Sequence, residues 1–125
     1  MAKWIKQKED ENNCGQIAIS VITGRPLKTV IKIIGHNSYT TTRELAKCLN
    51  KLRYKCPNRL RRLKNKPKLA IGKLSLRWEK RDWHWVVIIN NKIYDGIWGN
   101  SKGEADYNSI GKITSYLPIL KKKDK

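Results

Sequence analysis

The sequence of 125 residues contains no phenylalanine, few acidic residues and no long apolar run. A transmembrane helix needs about 20 consecutive apolar residues, so we expect no membrane span. The 28 Lys and Arg residues outnumber the 10 Asp and Glu residues and give a formal net charge of +18 at pH 7. This excess indicates an acidic partner or surface, which is a nucleic acid, an anionic protein or an anionic membrane. The abundance of Lys, Asn and Ile is typical of an AT-rich coding genome such as that of a phage.

Cysteine is also scarce, since the chain has only Cys14, Cys48 and Cys56. The odd number and the polar first thirteen residues, which lack a secretory pattern, predict free thiols and a reducing, cytoplasmic location. The cysteines and histidines lack the short spacings of metal ligands, so we expect no metal and no cofactor. The length favours a single domain, residues 1–125, whose charged tail is frayed from residue 119.

Cys14 stands where a polar run changes into an apolar one. The pattern predicts a buried helix from about Cys14 to Thr23, with Asn12 or Asn13 as N-cap and Gly24 as C-terminal stop. A thiol in the first turn lies at the positive end of the helix dipole, which favours the thiolate, the nucleophilic form. The alternative is a small core cysteine, which is what a lone buried cysteine usually is.

Two further helices are expected in the first half of the chain. Pro26 and Gly35 bracket a segment with one apolar helical face, in the usual order of proline at the start and glycine past the end. Thr41 and Glu44 have the spacing of a capping box, which begins the third helix. Cys48 falls in the apolar stripe of that helix, so we interpret it as a core residue.

The second half changes to strand patterns. Alternating or β-prone runs predict strands at residues 68–76, 84–89, 92–98 and 113–119, with a polar loop at 99–111. The fold class is therefore α+β, with a helical first half packed against an antiparallel sheet.

The two turn-forming residues Asn90-Asn91 predict a tight hairpin between the second and third of these strands. A two-residue turn pairs Ile88 with Ile93 and Val86 with Asp95, which places Asp95 on the same sheet face as His84. Diagonal neighbours lie about 7 Å apart, within reach of an Asp–His hydrogen bond. A register shifted by one residue would separate them, and the alternative is that both side chains are merely exposed.

These residues fit one chemical scheme. A cysteine at a helix start is the nucleophile, a histidine on a strand is the base, and a carboxylate fixes the tautomer of the histidine. The scheme predicts a Cys14-His84-Asp95 triad.

The order of motifs resembles papain-like cysteine peptidases, most closely the bacteriocin-processing, double-glycine peptidase group. The resemblance covers roughly residues 7–98 and is carried by Asn13-Cys14-Gly15, Thr41-Thr42-x-x-Leu45, His84-Trp85-Val86-Val87 and Tyr94-Asp95-Gly96. It implies a papain-like fold and cleavage of a peptide or isopeptide bond by the triad. Related folds also transfer acyl groups or deamidate, so the likeness does not fix the substrate.

The resemblance also implies an oxyanion-hole glutamine six residues before the cysteine. Lys8 occupies that position here, and Gln7 is one residue further away, which makes Gln7 the candidate donor. Asp-Pro is common where this chain has Asp95 followed by Gly96. Three tryptophans near His84 are candidates for the wall of a substrate cleft: Trp83, Trp85 and Trp98. Trp85 is equally well suited to the core.

Residues 51–68 contain nine lysines and arginines and no acidic residue. The segment is either a solvated irregular edge or a strip that binds an acidic partner, with Arg59, Arg61 and Arg62 as contact candidates. It lacks interleaved aromatic residues, which favours an acidic protein over nucleic acid. A second function is therefore open: a basic binding protein on a peptidase-like scaffold, in which Cys14 does no chemistry.

Overall fold

The structure, a computed structural model, describes residues 13–62, 68–76, 83–90, 92–95, 104–105 and 111–122. Within these ranges the chain forms three helices, α1 (Cys14–Thr23), α2 (Leu27–Ile34) and α3 (Thr42–Lys51). It also forms seven strands: β1 (Tyr54–Lys55), β2 (Leu69–Leu76), β3 (Trp83–Ile89), β4 (Lys92–Tyr94), β5 (Glu104–Ala105), β6 (Gly111–Pro118) and β7 (Leu120–Lys122). The predicted α+β class is confirmed.

The helix boundaries follow the sequence signals. Gly24 ends α1 in the left-handed conformation, with φ of 77°, and its N–H donates to the carbonyl of Ser20. A residue with a Cβ rarely adopts this conformation, so glycine is favoured here. Thr41 caps α3 through the predicted reciprocal pair. The Glu44 N–H donates to Thr41 Oγ1 over 3.1 Å, and the Thr41 N–H donates to Glu44 Oε1 over 3.0 Å.

Five of the strands form one antiparallel sheet in the order β5-β4-β3-β2-β6. The long central strands β2 and β3 pair along their whole length, from Leu69 opposite Ile89 to Ser75 opposite Trp83. A separate two-stranded sheet joins β1 to β7. The central strand β3, which carries His84, therefore has a neighbour on each side that fixes its backbone.

Both faces of the central strands are buried. Ile71 and Val87 point to the helices and belong to the larger core cluster, whereas their neighbours Ala70 and Ile88 belong to a second cluster on the opposite face. Full burial of such a side chain stabilises the fold by about 1.5–3 kcal/mol. The helical side of the larger cluster is formed by residues including Ala18, Ile19, Ile22, Val30, Leu45 and Leu49.

The end of the chain differs from the expectation. Residues from 119 were expected to be frayed, but Ile119 is buried and Leu120–Lys122 form β7 on β1. The partner strand, Tyr54–Lys55, lies in a segment for which we expected irregular structure. Each strand is too short for a periodic pattern, so only the pairing itself stabilises them as strands. Residues 104–105, in the expected loop, form β5 for the same reason.

Candidate active site

Cys14 is the first residue of α1, as predicted, and only 8% of its surface is exposed. Asn13 occupies the N-cap position, is fully buried, and makes no capping hydrogen bond with its side chain. The helix behind Cys14 is buried along almost its whole length and packs against β3. Burial of the helix holds the thiol at a fixed place beside the centre of the sheet.

The β3–β4 hairpin has the predicted register. Ile89 lies opposite Lys92, Ile88 opposite Ile93 and Val87 opposite Tyr94. Asn90 adopts a positive φ of 48° in the turn, which asparagine tolerates better than most residues. Continuing this register by one residue brings Asp95 to the face of the sheet that carries His84.

His84 and Asp95 form a buried pair. The Nε2–H of His84 donates to Asp95 Oδ1 over 2.8 Å. The side chain of Asp95 has no exposed surface and that of His84 retains 7%. A carboxylate removed from water is costly unless it is hydrogen-bonded to a cation or a donor. The bond therefore holds the ring of His84 in one orientation, and Nδ1 is left as the ring nitrogen for exchanging a proton with a second group.

Cys14 supplies that second group. Burial alone would lower the pKa of His84, but this effect is outweighed by the hydrogen bond to Asp95 and then by a hydrogen bond and charge interaction with Cys14, which together raise the pKa to about 9. At neutral pH the ring is therefore an imidazolium. The charged ring of His84 thus lies beside the thiol of Cys14 at the start of α1.

Trp85, the residue after His84, ties the strand to the thiol and to a loop. Its backbone N–H donates to Cys14 Sγ over 3.4 Å, and its indole Nε1–H donates to the carbonyl of Thr40 over 3.2 Å. Its surface is only 3% exposed and it belongs to the larger core cluster. Trp85 therefore lies in the core, one of the two positions expected for it, and a contact with substrate stays a prediction.

The loop between α2 and α3 is fixed against the start of α1 by two residues that the sequence did not single out. Gln16 is buried, and its amide donates to the carbonyls of His36 and Ser38, each over 3.0 Å. Thr40 lies against Gly15, where a Cβ would come within 2.1 Å of Thr40 Oγ1. Glycine after the cysteine thus allows the loop to approach the helix. A glutamine among the apolar residues of the first half of α1 was the available signal of this contact.

The remaining predicted site residues are distributed as follows. Gln7 and Trp98 lie outside the described residues, as does the side chain of Trp83, although its backbone begins β3. Arg59, Arg61 and Arg62 are exposed, and the backbone of Arg61 pairs with Tyr116 on β6. The structure brings together Cys14, His84 and Asp95, and the substrate contacts of the arginines remain predictions.

Cys48 and Cys56 differ from Cys14 in their surroundings. Both are buried and unpaired. Burial raises the pKa of Cys48 to about 11, partly offset by Lys51, and raises that of Cys56 to about 12. At neutral pH both are therefore protonated, apolar core side chains, as expected for Cys48.

Comparison with known proteins adds no relative, since neither a protein-family model nor a curated protein matches this chain. Within the part of the chain that the structure describes, no helix is long and apolar enough to cross a membrane. The same ranges contain no group of three or more His, Cys, Asp or Glu side chains arranged to hold a metal ion.

Proposed function

We propose that this protein is a papain-type thiol hydrolase that cleaves a peptide or isopeptide bond through Cys14, His84 and Asp95. The observation that carries the proposal is the buried constellation in which His84 hydrogen-bonds to Asp95 on one side and to Cys14 on the other. Each residue comes from a different element, α1, β3 and the end of β4, so the arrangement depends on the whole fold. A papain-like fold is part of the proposal and is supported by helix α1 packing its N-terminal cysteine on the histidine strand.

The chemistry follows from the proton positions. The Cys14 thiolate attacks the substrate carbonyl carbon and forms a tetrahedral oxyanion. His84, as imidazolium, gives its proton to the leaving amine when the C–N bond breaks, which leaves an acyl-thioester on Cys14. Neutral His84 then takes a proton from a water molecule that attacks the thioester carbonyl. The C–S bond breaks, the acid product leaves, and the thiolate of Cys14 and the imidazolium of His84 are restored. Asp95 keeps the ring oriented in both steps.

The oxyanion needs a hydrogen-bond donor. The backbone N–H of Cys14 is a candidate, because first-turn N–H groups of a helix have no intrahelical acceptor. By the resemblance, Gln7 would supply a second donor. Preorganised donors of this kind contribute about 10²–10³ in rate each.

The test measures cleavage and active-site labelling together. A mixed peptide library is incubated with the protein and scanned by mass spectrometry for new termini, and a peptide vinyl sulfone is used to label the thiol. We expect His84→Ala to lower both rates by about 10²–10⁴-fold, the usual contribution of a general acid–base residue, and Asp95→Asn to have a smaller effect. His36→Gln, which changes the chain's other histidine, is the control and should retain both activities. Full cleavage by the His84→Ala protein would refute the assignment.

The charge of +18 supports a second candidate, a basic binding protein that engages an acidic protein or nucleic acid. Such a protein would bind its partner with strong salt dependence and would be indifferent to Cys14→Ala. The buried His84–Asp95 pair favours the hydrolase, because a binding function gives no reason to bury an imidazolium beside a thiol.

A further inference from the structure

A groove separate from the catalytic residues lies where β1 and β7 meet the segment that follows β1. Its volume is about 560 Å³, within the range of sites that bind small molecules or short peptide segments. The side chains around it combine apolar groups with two cations: Lys55, Cys56, Pro57, Arg61, Pro118 and Leu120. Leu120 is 53% exposed, one of two large apolar side chains with so much free surface among the described residues.

The chemistry of the groove defines its ligand. Lys55 and Arg61 are both exposed, and neither forms an ion pair within the described part of the chain. Among the residues that the structure describes, no carboxylate lines the groove. The apolar surface of Pro57, Pro118 and Leu120 lies next to these charges, so a ligand that satisfies both carries an apolar side chain beside one or more carboxylates.

Two other occupants fit less well. Single-stranded nucleic acid is usually held by aromatic side chains that stack on its bases. The described part of the chain contributes no aromatic residue to the lining of the groove. A second copy of this chain would bring two molecules of charge +18 together, which like-charge repulsion opposes. An acidic polypeptide segment has neither problem.

The register of the sheet gives the distance from the groove to the catalytic residues. Pro118 pairs with Ala70 and Ala70 with Ile88, which lies four residues along β3 from His84. At about 3.4 Å per residue and about 4.8 Å per strand, Pro118 is about 17 Å from His84. An extended chain needs at least about five residues to cover that distance.

We propose that this groove is a docking site for an acidic, apolar segment of a polypeptide partner. That the partner is also the substrate rests on the proposed hydrolase function, whereas docking itself does not. If both hold, the docked segment lies at least about five residues from the bond that Cys14 attacks. Charge then selects the partner at one site, and the thiol cleaves it at another.

The experiment measures binding to full-length Cys14→Ala protein, in which no cleavage can occur. The probe is a fluorescein-labelled ten-residue peptide of glutamates with a central leucine, followed by fluorescence anisotropy at about 50 mM salt. We expect Arg61→Glu to weaken binding by about tenfold. Arg59→Glu is the matched control, because Arg59 is exposed in the same segment but does not line the groove, and we expect less than about a threefold effect.

The apolar part is tested by pairing Leu120→Ser with a peptide in which serine replaces leucine. Leu120→Ser should weaken the leucine peptide by about fivefold and leave the affinity for the serine peptide unchanged. Equal effects of Arg59→Glu and Arg61→Glu would overturn the proposal, as would the absence of saturable binding. Tighter binding of ten-residue oligothymidylate would overturn it in favour of nucleic acid, and a dimer in sedimentation that Leu120→Ser dissociates would overturn it in favour of self-association.

Failure of the docking site is distinguishable from failure of the hydrolase. In protein with Cys14 intact, Arg61→Glu should leave the rate of Cys14 alkylation by iodoacetamide unchanged, because the groove is remote from the thiol. Binding without cleavage of any peptide would refute the hydrolase and leave the docking site standing. Cleavage that does not depend on Arg61 would support the hydrolase and refute the claim that the docked partner is its substrate, and the anisotropy measurement would still decide whether the groove binds the acidic peptide.

Discussion

Replacing Asp95 with Asn tests the electrostatic basis of the candidate site directly. The pKa of His84 is raised from 6.5 to about 9 against the opposing effect of burial, first by the hydrogen bond to Asp95. This rise corresponds to about 3 kcal/mol in favour of the imidazolium. Asparagine can still accept the Nε2–H but carries no charge. A neighbouring opposite charge changes a pKa by about 1–3, so we expect the midpoint of the His84 titration to fall by that amount in Asp95→Asn.

The assay is NMR titration of the imidazole ring signals. The chain has two histidines, so loss of one signal in His36→Gln assigns both. Glu44→Gln is the matched control, because Glu44 forms the other carboxylate–imidazole pair, with His36. It should leave the His84 midpoint unchanged. A midpoint at or below 6.5 in the unmodified protein would show that burial outweighs both partners, and an unchanged midpoint in Asp95→Asn would refute the role of its charge.

The same pKa predicts how stability depends on pH. His84 binds its proton more tightly in the folded state than in the unfolded state. Its contribution to the free energy of unfolding is therefore complete below pH 6.5 and is lost as the pH rises towards about 9. Urea denaturation should therefore show the free energy of unfolding falling by up to about 3 kcal/mol over this interval. Asp95→Asn should flatten the decline. A free energy of unfolding that increases over the same interval would contradict the assignment.

Two further predictions concern the thiols and the start of α1. At about pH 7 iodoacetamide should modify Cys14 at least tenfold faster than Cys48 or Cys56, because the raised pKa values of the latter two keep them protonated. Labelling of the folded protein is read by peptide mass mapping, and equal labelling of the three thiols would contradict this prediction. Replacing glycine with alanine stabilises most helices by about 1 kcal/mol. Gly15→Ala should instead lower the free energy of unfolding, measured by urea denaturation, by about 1–3 kcal/mol, because the new Cβ would clash with Thr40 Oγ1. Adding Thr40→Ala should recover part of that loss, and additive effects of the two substitutions would show that they do not clash.

The parts of the site that the sequence predicted are those set by local geometry. Asn90-Asn91 fixes a two-residue turn, and the alternation of side chains along a strand then brings Asp95 to the face of His84 without any knowledge of the rest of the fold. The capping pair of Thr41 and Glu44 is equally local, and both of its hydrogen bonds form. Local rules succeed here because the atoms they relate are only a few bonds or one turn apart.

Contacts between distant segments were not predictable in the same way. Gln16 donates to the backbone carbonyls of His36 and Ser38, which lie 20 and 22 positions further along the chain. Every residue has a backbone carbonyl, so the sequence does not indicate which carbonyl will accept the hydrogen bond. The pairing of β1 with β7 joins residues 54–55 to residues 120–122. Each strand is too short to have a pattern, and the charged residues around them suggested solvated chain.

Trp85 contributes to the site through the core position that the sequence left open for it. A ring beside the histidine suggested a cleft wall, yet its indole bonds to Thr40 while its backbone N–H bonds to the thiol of Cys14. One residue therefore connects the loop, the strand and the thiol of Cys14. The loop is held in turn by Gln16, which belongs to the same helix as Cys14. These hydrogen bonds link α1 to the loop, the loop to β3, and β3 back to α1. The position of the Cys14 thiol relative to His84 is therefore fixed by contacts from both the loop and the strand. Loss of one loop contact should therefore change the distance between the Cys14 thiol and the His84 ring more than it changes the free energy of unfolding.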